Sequence, residues 1–196
     1  GFDKDGIHIN GTKYDEHGFD IKGFYLNGWE YDNHGFDRDG IHKKTKTNYD
    51  PHNFDRDGIH LTGERYDEYG FDIDGYYWKL SDLGIREKTD EKYDLYEFDI
   101  NGYHKSGLRT NERGFYRDGK NRNGTTYDSY GFDFEGIHKN GTKYDERGFD
   151  KDGYFWELLK NGDRKKTNNK HDQNGFDRDN LHIITGSIFD LNGKDK

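Results

Sequence analysis

Single phenylalanines separated by polar, glycine-rich segments form the main hydrophobic pattern of this chain. They recur at a spacing of 17 residues, with one spacing of 18 and two of 27. A fixed period of this kind indicates repeated supersecondary units, so we predict a single repeat array over residues 1–196. Its ten copies start at Phe2, Phe19, Phe36, Phe54, Phe71, Phe98, Phe115, Phe132, Phe149 and Phe176.

Most of these phenylalanines lie between two segments of the Asp-x-x-Gly type, as Phe19 lies between residues 15–18 and 20–23. This pattern predicts type I turns, in which Asp accepts backbone hydrogen bonds and the fourth residue has a positive φ. Asn53 and Asn180 replace Gly at two fourth positions, and Asn tolerates this conformation next best. Glu97 replaces Gly at a third position, where we predict a distorted turn.

Between the double turns, short alternating segments flank an Asn-Gly pair. Residues 7–9 and 12–14 flank Asn10 and Gly11, which predicts two short strands and a two-residue type I′ loop with both loop residues at positive φ. The implied cross-strand pairs are Ile9 with Thr12, His8 with Lys13, and Ile7 with Tyr14. Two copies carry ten extra residues here, and we predict longer hairpins at residues 76–92 and 154–170. A short helix at residues 156–160 is the alternative.

The predicted register places alternate residues on two faces, giving an all-β fold of stacked hairpins, a β-solenoid or twisted ribbon. Its predicted core side contains Phe19 and, from two successive copies, Ile7, Ile9 and Tyr14, and then Phe24, Leu26, Trp29 and Tyr31. The residue six positions after each phenylalanine would point to the opposite face. This row is rich in His and aromatic residues, as exposed interaction faces often are. The predicted binding residues are His8, Tyr25, His42, His60, Tyr77, His104, His138, Phe155 and His182.

Two kinds of metal site are candidates in this pattern. The histidine row could form a ladder that binds a transition metal or makes assembly sensitive to pH, or its members could simply lie beside aromatic neighbours. The Asp-x-Asp-Gly turns could bind calcium through carboxylates, but turn formation already accounts for the first Asp and the second would be solvated, which we favour. The candidate calcium ligands are Asp3, Asp5, Asp37, Asp39, Asp55, Asp57, Asp177 and Asp179.

Composition limits the classes of partner. The net charge of −9 argues against non-specific nucleic-acid binding, and no apolar run is long enough to predict membrane insertion. The chain has no Cys, so no disulfide framework is expected. Hydrophobic residues make up only 28%, but aromatic residues make up 17%, which favours an ordered chain with a thin aromatic core. The start of the chain inside a repeat indicates a piece of a longer array.

Residues 11–28, with Tyr14 before a turn and Gly18 after it, resemble bacterial aromatic and glycine hairpin repeats. The choline-binding and glucan-binding cell-wall repeats are the family that this segment resembles, and MORN-type repeats are a looser match. The resemblance implies hairpins stacked into a solenoid.

No nucleophile motif, phosphate-binding loop or isolated carboxylate pair is present in the sequence, so we expect a protein that is not an enzyme. We expect a bacterial surface or secreted repeat protein, structural or adhesive, that needs no cofactor and binds a glycan or protein surface. A self-assembling filament or sheath subunit is one alternative. A calcium-stiffened stalk is another.

Overall fold

The computed structural model describes residues 1–195. These residues contain no helix, and their strands are β1 (Trp78–Leu80), β2 (Arg86–Lys88), β3 (Trp156–Leu158) and β4 (Arg164–Lys166). The contacts divide the chain into two compact units, the first spanning Gly1–Asn101 and the second beginning at Gly102. Within the described part, no helix is long and apolar enough to cross a membrane. The single ten-copy array remains a prediction.

The two long hairpins are confirmed. β1 pairs antiparallel with β2, so that Trp78 lies opposite Lys88. β3 pairs with β4 in the same register, and Trp156 lies opposite Lys166. The alternative of a helix at residues 156–160 is wrong, because the alternating side chains of β3 are held in a ladder with β4.

The Asp-x-x-Gly turns are also confirmed, and Asp3 illustrates them. The amide of Gly6 donates to the carbonyl oxygen of Asp3 at 3.1 Å. The Asp3 Oδ1 accepts from the amides of Asp5 and Ile7, both at 2.9 Å. Gly6 has a φ of 77°, which lets the chain reverse without steric cost. In a turn of this kind, one carboxylate and one glycine therefore suffice to reverse the chain.

The predicted Asn-Gly loop is wrong in its register. The amide of Gly11 donates to the His8 carbonyl at 2.8 Å, and the His8 amide donates to Thr12, not Lys13, at 2.7 Å. Gly11 has a φ of 83°, whereas Asn10 is not among the residues with positive φ. The loop is thus a further turn of the Asp3 kind, with one left-handed residue. The Asn10 Oδ1 instead accepts from the Thr12 amide at 3.0 Å.

The predicted faces are wrong for the same reason. Phe2 forms an antiparallel bridge with His8 across the turn at residues 3–6, and directly opposed residues share a face. The residue six positions after a bridged phenylalanine therefore lies on the same face as that phenylalanine. Ile9, Leu26 and Trp29, which we expected in the core, are 87%, 58% and 72% exposed. A register error of one residue exchanges the two faces of a strand.

The core itself is a series of phenylalanines, as the period predicted. Fully buried side chains of the repeat are Phe19, Phe36, Phe54, Phe71, Phe98, Phe115, Phe132 and Phe149. Phe176 is also buried, while Phe2 in the first copy is half-buried. Each copy thus contributes one deeply buried ring, so burial is distributed along the sequence.

The turn that ends at Glu97 keeps the usual geometry, contrary to our prediction of distortion. Its amide donates to the Asp94 carbonyl at 3.0 Å, and its φ is 67°. Asn53 and Asn180 also have positive φ, as predicted, with values of 66° and 65°. Turn hydrogen bonds therefore impose the left-handed conformation even on a residue that disfavours it.

Arginines connect neighbouring copies within a unit. The Arg38 guanidinium donates to the Ile21 carbonyl, 17 residues earlier, at 3.2 Å. Arg56 donates to the carbonyls of Asp37 and Arg38 at 3.1 and 2.8 Å. In the second unit, Arg178 donates in the same way to Asp150 and Lys151, both at 3.1 Å. The second turn of one copy thus lies against that of the preceding copy.

Candidate functional site: two matched hairpin clefts

The predicted binding row is largely inside the protein. His8, His42, His60, Tyr77, His104, His138 and His182 are buried, while Tyr25 and Phe155 are half-buried. The ring of His42 lies 5.1 Å from that of Phe36 between centroids, and Tyr77 lies 5.5 Å from Phe71. These side chains pack the core of each copy and do not form the exposed face that the sequence suggested.

The buried histidines also close turns. The Nδ1 atom of His42 accepts from the Lys44 amide at 3.3 Å, and that of His60 accepts from the Thr62 amide at 3.3 Å. This is the role that Asp3 has in its own turn. Asn121 occupies the same position in another copy, where its Oδ1 accepts from the Asn123 amide at 3.2 Å. The histidine row is therefore explained by folding.

The first Asp of each candidate calcium pair is already engaged in the hydrogen bonds of its turn, and the second is exposed. The first Asp of each pair, Asp3, Asp37, Asp55 and Asp177, accepts two backbone amides at 2.8 to 3.0 Å. The second members, Asp5, Asp39, Asp57 and Asp179, are exposed. Asp179 accepts from the Tyr130 hydroxyl at 2.8 Å, and this bond, with burial, raises the pKa of Tyr130. Residues 1–195 contain no cluster of three or more His, Asp or Glu side chains suited to a metal ion.

The first long hairpin lies over a polar cleft. Asp72, which is 5% exposed, precedes β1 by one turn of chain. Its Oδ2 lies 2.7 Å from the Lys88 ammonium and accepts from the Trp78 indole at 3.2 Å. The Trp78 ring lies 5.5 Å from the ring of Tyr66 between centroids. A cavity of about 250 Å³ opens beside this group, with further charge from Arg65.

The second hairpin repeats this arrangement. Asp150, which is 4% exposed, lies 2.7 Å from the Lys166 ammonium and accepts from the Trp156 indole at 3.1 Å. The rings of Trp156 and Tyr144 are 5.4 Å apart. The adjoining cavity has a volume of about 320 Å³. Two separate parts of the chain thus build the same polar group under a tryptophan.

The lining residues of the two cavities correspond at a fixed separation of 78 residues, as from Asp72 to Asp150. The corresponding pairs are Asp57 and Glu135, Arg65 and Lys143, Asp72 and Asp150, Asp74 and Asp152, Trp78 and Trp156, and Lys88 and Lys166. Each of these six pairs keeps the sign of its charge or its aromatic ring, whereas Ile73 of the first cavity corresponds to Lys151 of the second. The clefts therefore share one chemistry, with alternating carboxylates and cations around an indole.

The charges of each cleft stabilise one another. Burial opposes ionisation of Asp72, but hydrogen bonds from Lys88, the Tyr76 amide and Trp78 outweigh it and lower the pKa of this carboxyl. The hydrogen bond to Asp72 raises the pKa of Lys88. The pKa of Asp150 is lowered and that of Lys166 is raised by the corresponding contacts. Both pairs are therefore ionised at neutral pH, and no group in them is poised to transfer a proton.

Comparison with known proteins finds no matching family model, and neither a curated protein nor a solved structure that is significantly similar.

From the sequence, Trp78 and Trp156 were predicted only as parts of the long hairpins at residues 76–92 and 154–170. The signal that would have found the clefts is the 78-residue separation between the two ten-residue additions, together with the preceding Asp72 and Asp150. The shorter period of 17 residues obscures this longer one, because it recurs more often.

Proposed function

We propose that this chain is a non-catalytic repeat protein that binds carbohydrate. It would be secreted or displayed on a bacterial surface, with a structural or adhesive role. The observation that carries the proposal is the cleft that is built twice, around Trp78 and around Trp156. Turn formation alone needs neither the tryptophan nor the Asp–Lys pair, since the other copies fold without them. Their retention at both sites favours a function at the clefts.

The chemistry of the clefts suits a sugar. A half-buried indole, such as that of Trp78, offers an apolar face to one side of a sugar ring. The surrounding Asp74, Arg65 and Lys88 offer acceptors and donors to hydroxyl groups. A few placed polar groups around an apolar surface are typical of small-molecule sites. Cavities of about 250 and 320 Å³ accommodate one or two sugar units.

A stack of copies would serve as the scaffold that presents the two clefts. The carbonyl contacts of Arg38 and Arg56 with the preceding copies support such a stack within the first unit. Arg178 supports it in the second unit. Extended stacks of small repeats commonly present binding surfaces along their length. Two clefts on one chain would raise the avidity for a polymeric glycan above the affinity of either cleft.

Binding of glycans by the Trp78→Ala and Trp156→Ala variants tests this proposal. A glycan array identifies a ligand for the unchanged protein, and calorimetry then measures its affinity. Each single change should weaken binding by about tenfold or more, and the double change should abolish it. Trp29→Ala is the matched control, because Trp29 is 72% exposed and does not line either cleft. Equal binding by the control and the double variant would refute the proposal.

Self-assembly into a filament is a second candidate, favoured by the charge of the two units. Residues 1–101 carry 13 Lys and Arg against 24 Asp and Glu, a net charge of −11, whereas residues 102–196 carry 18 against 16, a net charge of +2. This difference in charge favours contact between the acidic unit of one molecule and the basic unit of another. Sedimentation should then show larger assemblies at low salt than at high salt. A monomer under both conditions, with no fibres by electron microscopy, would exclude this candidate.

A further inference from the structure

Four of the short loops between the double turns contain an asparagine followed by a glycine. These asparagines are Asn10, Asn27, Asn123 and Asn140. An Asn-Gly pair can react with itself, because the glycine amide nitrogen can attack the side-chain carbonyl carbon and the missing Cβ leaves room for the ring that forms. All four side chains are exposed, so water reaches them. The loops therefore allow one reaction to be compared at four places in the chain.

The backbone of the four loops is the same. The Gly28 amide donates to the Tyr25 carbonyl at 2.7 Å, and the other three loops make the corresponding bond at 2.7 to 2.9 Å. The φ of the four glycines is 83° or 84°. A Cβ built on any of them would meet nothing within 4 Å. Neither the backbone nor the space around the glycine therefore distinguishes the loops.

The side chains of three of these asparagines are held at both ends. The Asn10 Oδ1 accepts from the Thr12 amide at 3.0 Å, and the Asn10 Nδ2 donates to the Tyr14 carbonyl at 3.1 Å. The Thr12 hydroxyl lies 3.0 Å from that Oδ1 and 2.6 Å from that carbonyl oxygen, so it bridges them. Asn123 and Asn140 repeat these contacts, with Nδ2 bonds of 3.0 and 3.2 Å. Reaction at these asparagines costs the Nδ2 bond, since that nitrogen leaves as ammonia.

Asn27 lacks this arrangement. Trp29 stands where the other three loops have threonine, and its amide donates to the Asn27 Oδ1 at 2.9 Å. The indole has no hydroxyl to bridge the carboxamide and the carbonyl of Tyr31. Within residues 1–195, the Asn27 Nδ2 makes no hydrogen bond. The nitrogen that leaves in the reaction is thus free to turn at Asn27 and is held in the other three loops.

We propose that Asn27 is a site of spontaneous deamidation, from which the other three loop asparagines are protected. The Gly28 amide loses its proton to water, and its nitrogen forms a bond to the Asn27 Cγ. The bond from Cγ to Nδ2 breaks, and Nδ2 takes up a proton from water and leaves as ammonia, which closes a succinimide ring. Water then opens the ring at either carbonyl and leaves aspartate or isoaspartate. Each product adds one negative charge to the first unit.

Isoaspartate would alter the hairpin that Asn27 closes. It places an extra carbon in the main chain between two bonds that set the register, from Gly28 to the Tyr25 carbonyl and from Tyr25 to the Trp29 carbonyl, each at 2.7 Å. The ring of Tyr25 packs against the buried Phe19, with 5.3 Å between centroids. The reaction should therefore loosen the copy that starts at Phe19 and leave the second unit unchanged.

Peptide mass spectrometry of the full chain, aged in a mildly alkaline buffer, tests the inference. Digestion in heavy-oxygen water separates deamidation that preceded the digestion from deamidation during it. Asn27 should react about fivefold faster than Asn10, Asn123 or Asn140, because only these three lose a hydrogen bond of their Nδ2. Equal rates at the four sites would overturn the inference.

Two substitutions exchange the loop types. Trp29→Thr gives Asn27 the sequence of the held loops and should slow its deamidation to the rate at Asn10. Thr12→Val removes the bridging hydroxyl with little change in shape and should speed the reaction at Asn10 by about threefold. In urea, where the hydrogen bonds of the fold are lost, all four sites should react at one rate. Unchanged rates in both variants, or a faster reaction of Asn27 that persists in urea, would also refute control by the loop structure.

Discussion

The two long hairpins have the same backbone and differ in their outward charges. Lys79 lies opposite Glu87 in the first hairpin, whereas Glu157 lies opposite Lys165 in the second. The order of charges is reversed, but the opposition of unlike charges is kept, which is worth a fraction of a kcal/mol. Beneath the strands, by contrast, the Asp–Trp–Lys group is the same in both. The comparison indicates that the cleft is constrained and that the outer surface is free to vary.

His42 in the first unit and Asn121 in the second occupy the same core position. They lie six residues after Phe36 and Phe115, respectively. Both are buried, and both accept a backbone amide two residues later. His42→Ala should lower the free energy of unfolding by about 3 kcal/mol, because it removes a packed ring and a turn acceptor. Urea unfolding measures this loss. It is the largest effect that we expect from a single change outside the phenylalanines.

His42→Asn is the control for that change, since it introduces the residue of the second unit. We expect a loss of about 1 kcal/mol, because the amide restores the turn acceptor but not the ring packing against Phe36. If Asn proves as costly as Ala, the Nδ1 bond of His42 contributes nothing and the resemblance of the two positions is only steric.

The Asp–Trp–Lys group beneath each hairpin predicts that Asp72→Ala and Asp150→Ala lower the free energy of unfolding equally. Each change leaves a tryptophan indole and a lysine without their common acceptor. We expect each to cost about 2 kcal/mol, measured by thermal unfolding. Asp82→Ala at an exposed site serves as the control and should change stability by less than about 0.5 kcal/mol. Unequal losses would show that the two clefts are not energetically equivalent.

The Asp72–Lys88 and Asp150–Lys166 pairs also predict how the stability of the hairpins depends on pH. The pKa of Asp72 and Asp150 is lowered from 3.8 in the folded protein, so their stabilisation is complete above the pKa of the unfolded state. This stabilisation is lost as the pH falls through the lower pKa that the carboxyl has in the folded protein. The pKa of Lys88 and Lys166 is raised from 10.5, so their stabilisation is lost as the pH rises through that higher value.

Tryptophan fluorescence should therefore stay constant across neutral pH and change at both extremes. Asp72→Asn should remove the part of the acid transition that belongs to the first hairpin and leave the part that belongs to the second. A transition centred near neutral pH would contradict the assignment of this response to the two Asp–Lys pairs.

The turns and the phenylalanine core were predictable because each depends on a local pattern. Asp3 and Gly6 close a turn through contacts within a few residues, and the phenylalanine that recurs once per copy between two turns marks the ring that is buried. The faces of the hairpins were not predictable from Asn10 and Gly11. Two turn types are compatible with that pair, and only the bridge between Phe2 and His8 decides the register.

The clefts could not be predicted from the sequence for a different reason. Asp72 belongs to a turn that occurs in every copy, so its residue type carries no special signal. Its second role becomes visible only when the hairpin brings Lys88 back to it from 16 residues further along the chain. Such a contact depends on the length of the inserted hairpin.

The smallest effect that we expect concerns Glu97 in the first unit and Gly175, its equivalent 78 residues later. Both have positive φ, 67° and 84°, and both end a turn before a core phenylalanine. Glu97→Gly should raise the free energy of unfolding by about 0.5 to 1 kcal/mol, because relief of left-handed strain exceeds the entropy that glycine adds to the unfolded chain. The reverse change, Gly175→Glu, should cost more, since a Cβ there would lie 2.8 Å from the His182 Nε2. Denaturant unfolding of both variants decides the matter. If Glu97→Gly destabilises the protein, the glutamate side chain makes contacts worth more than its backbone strain, and the two turns are not equivalent.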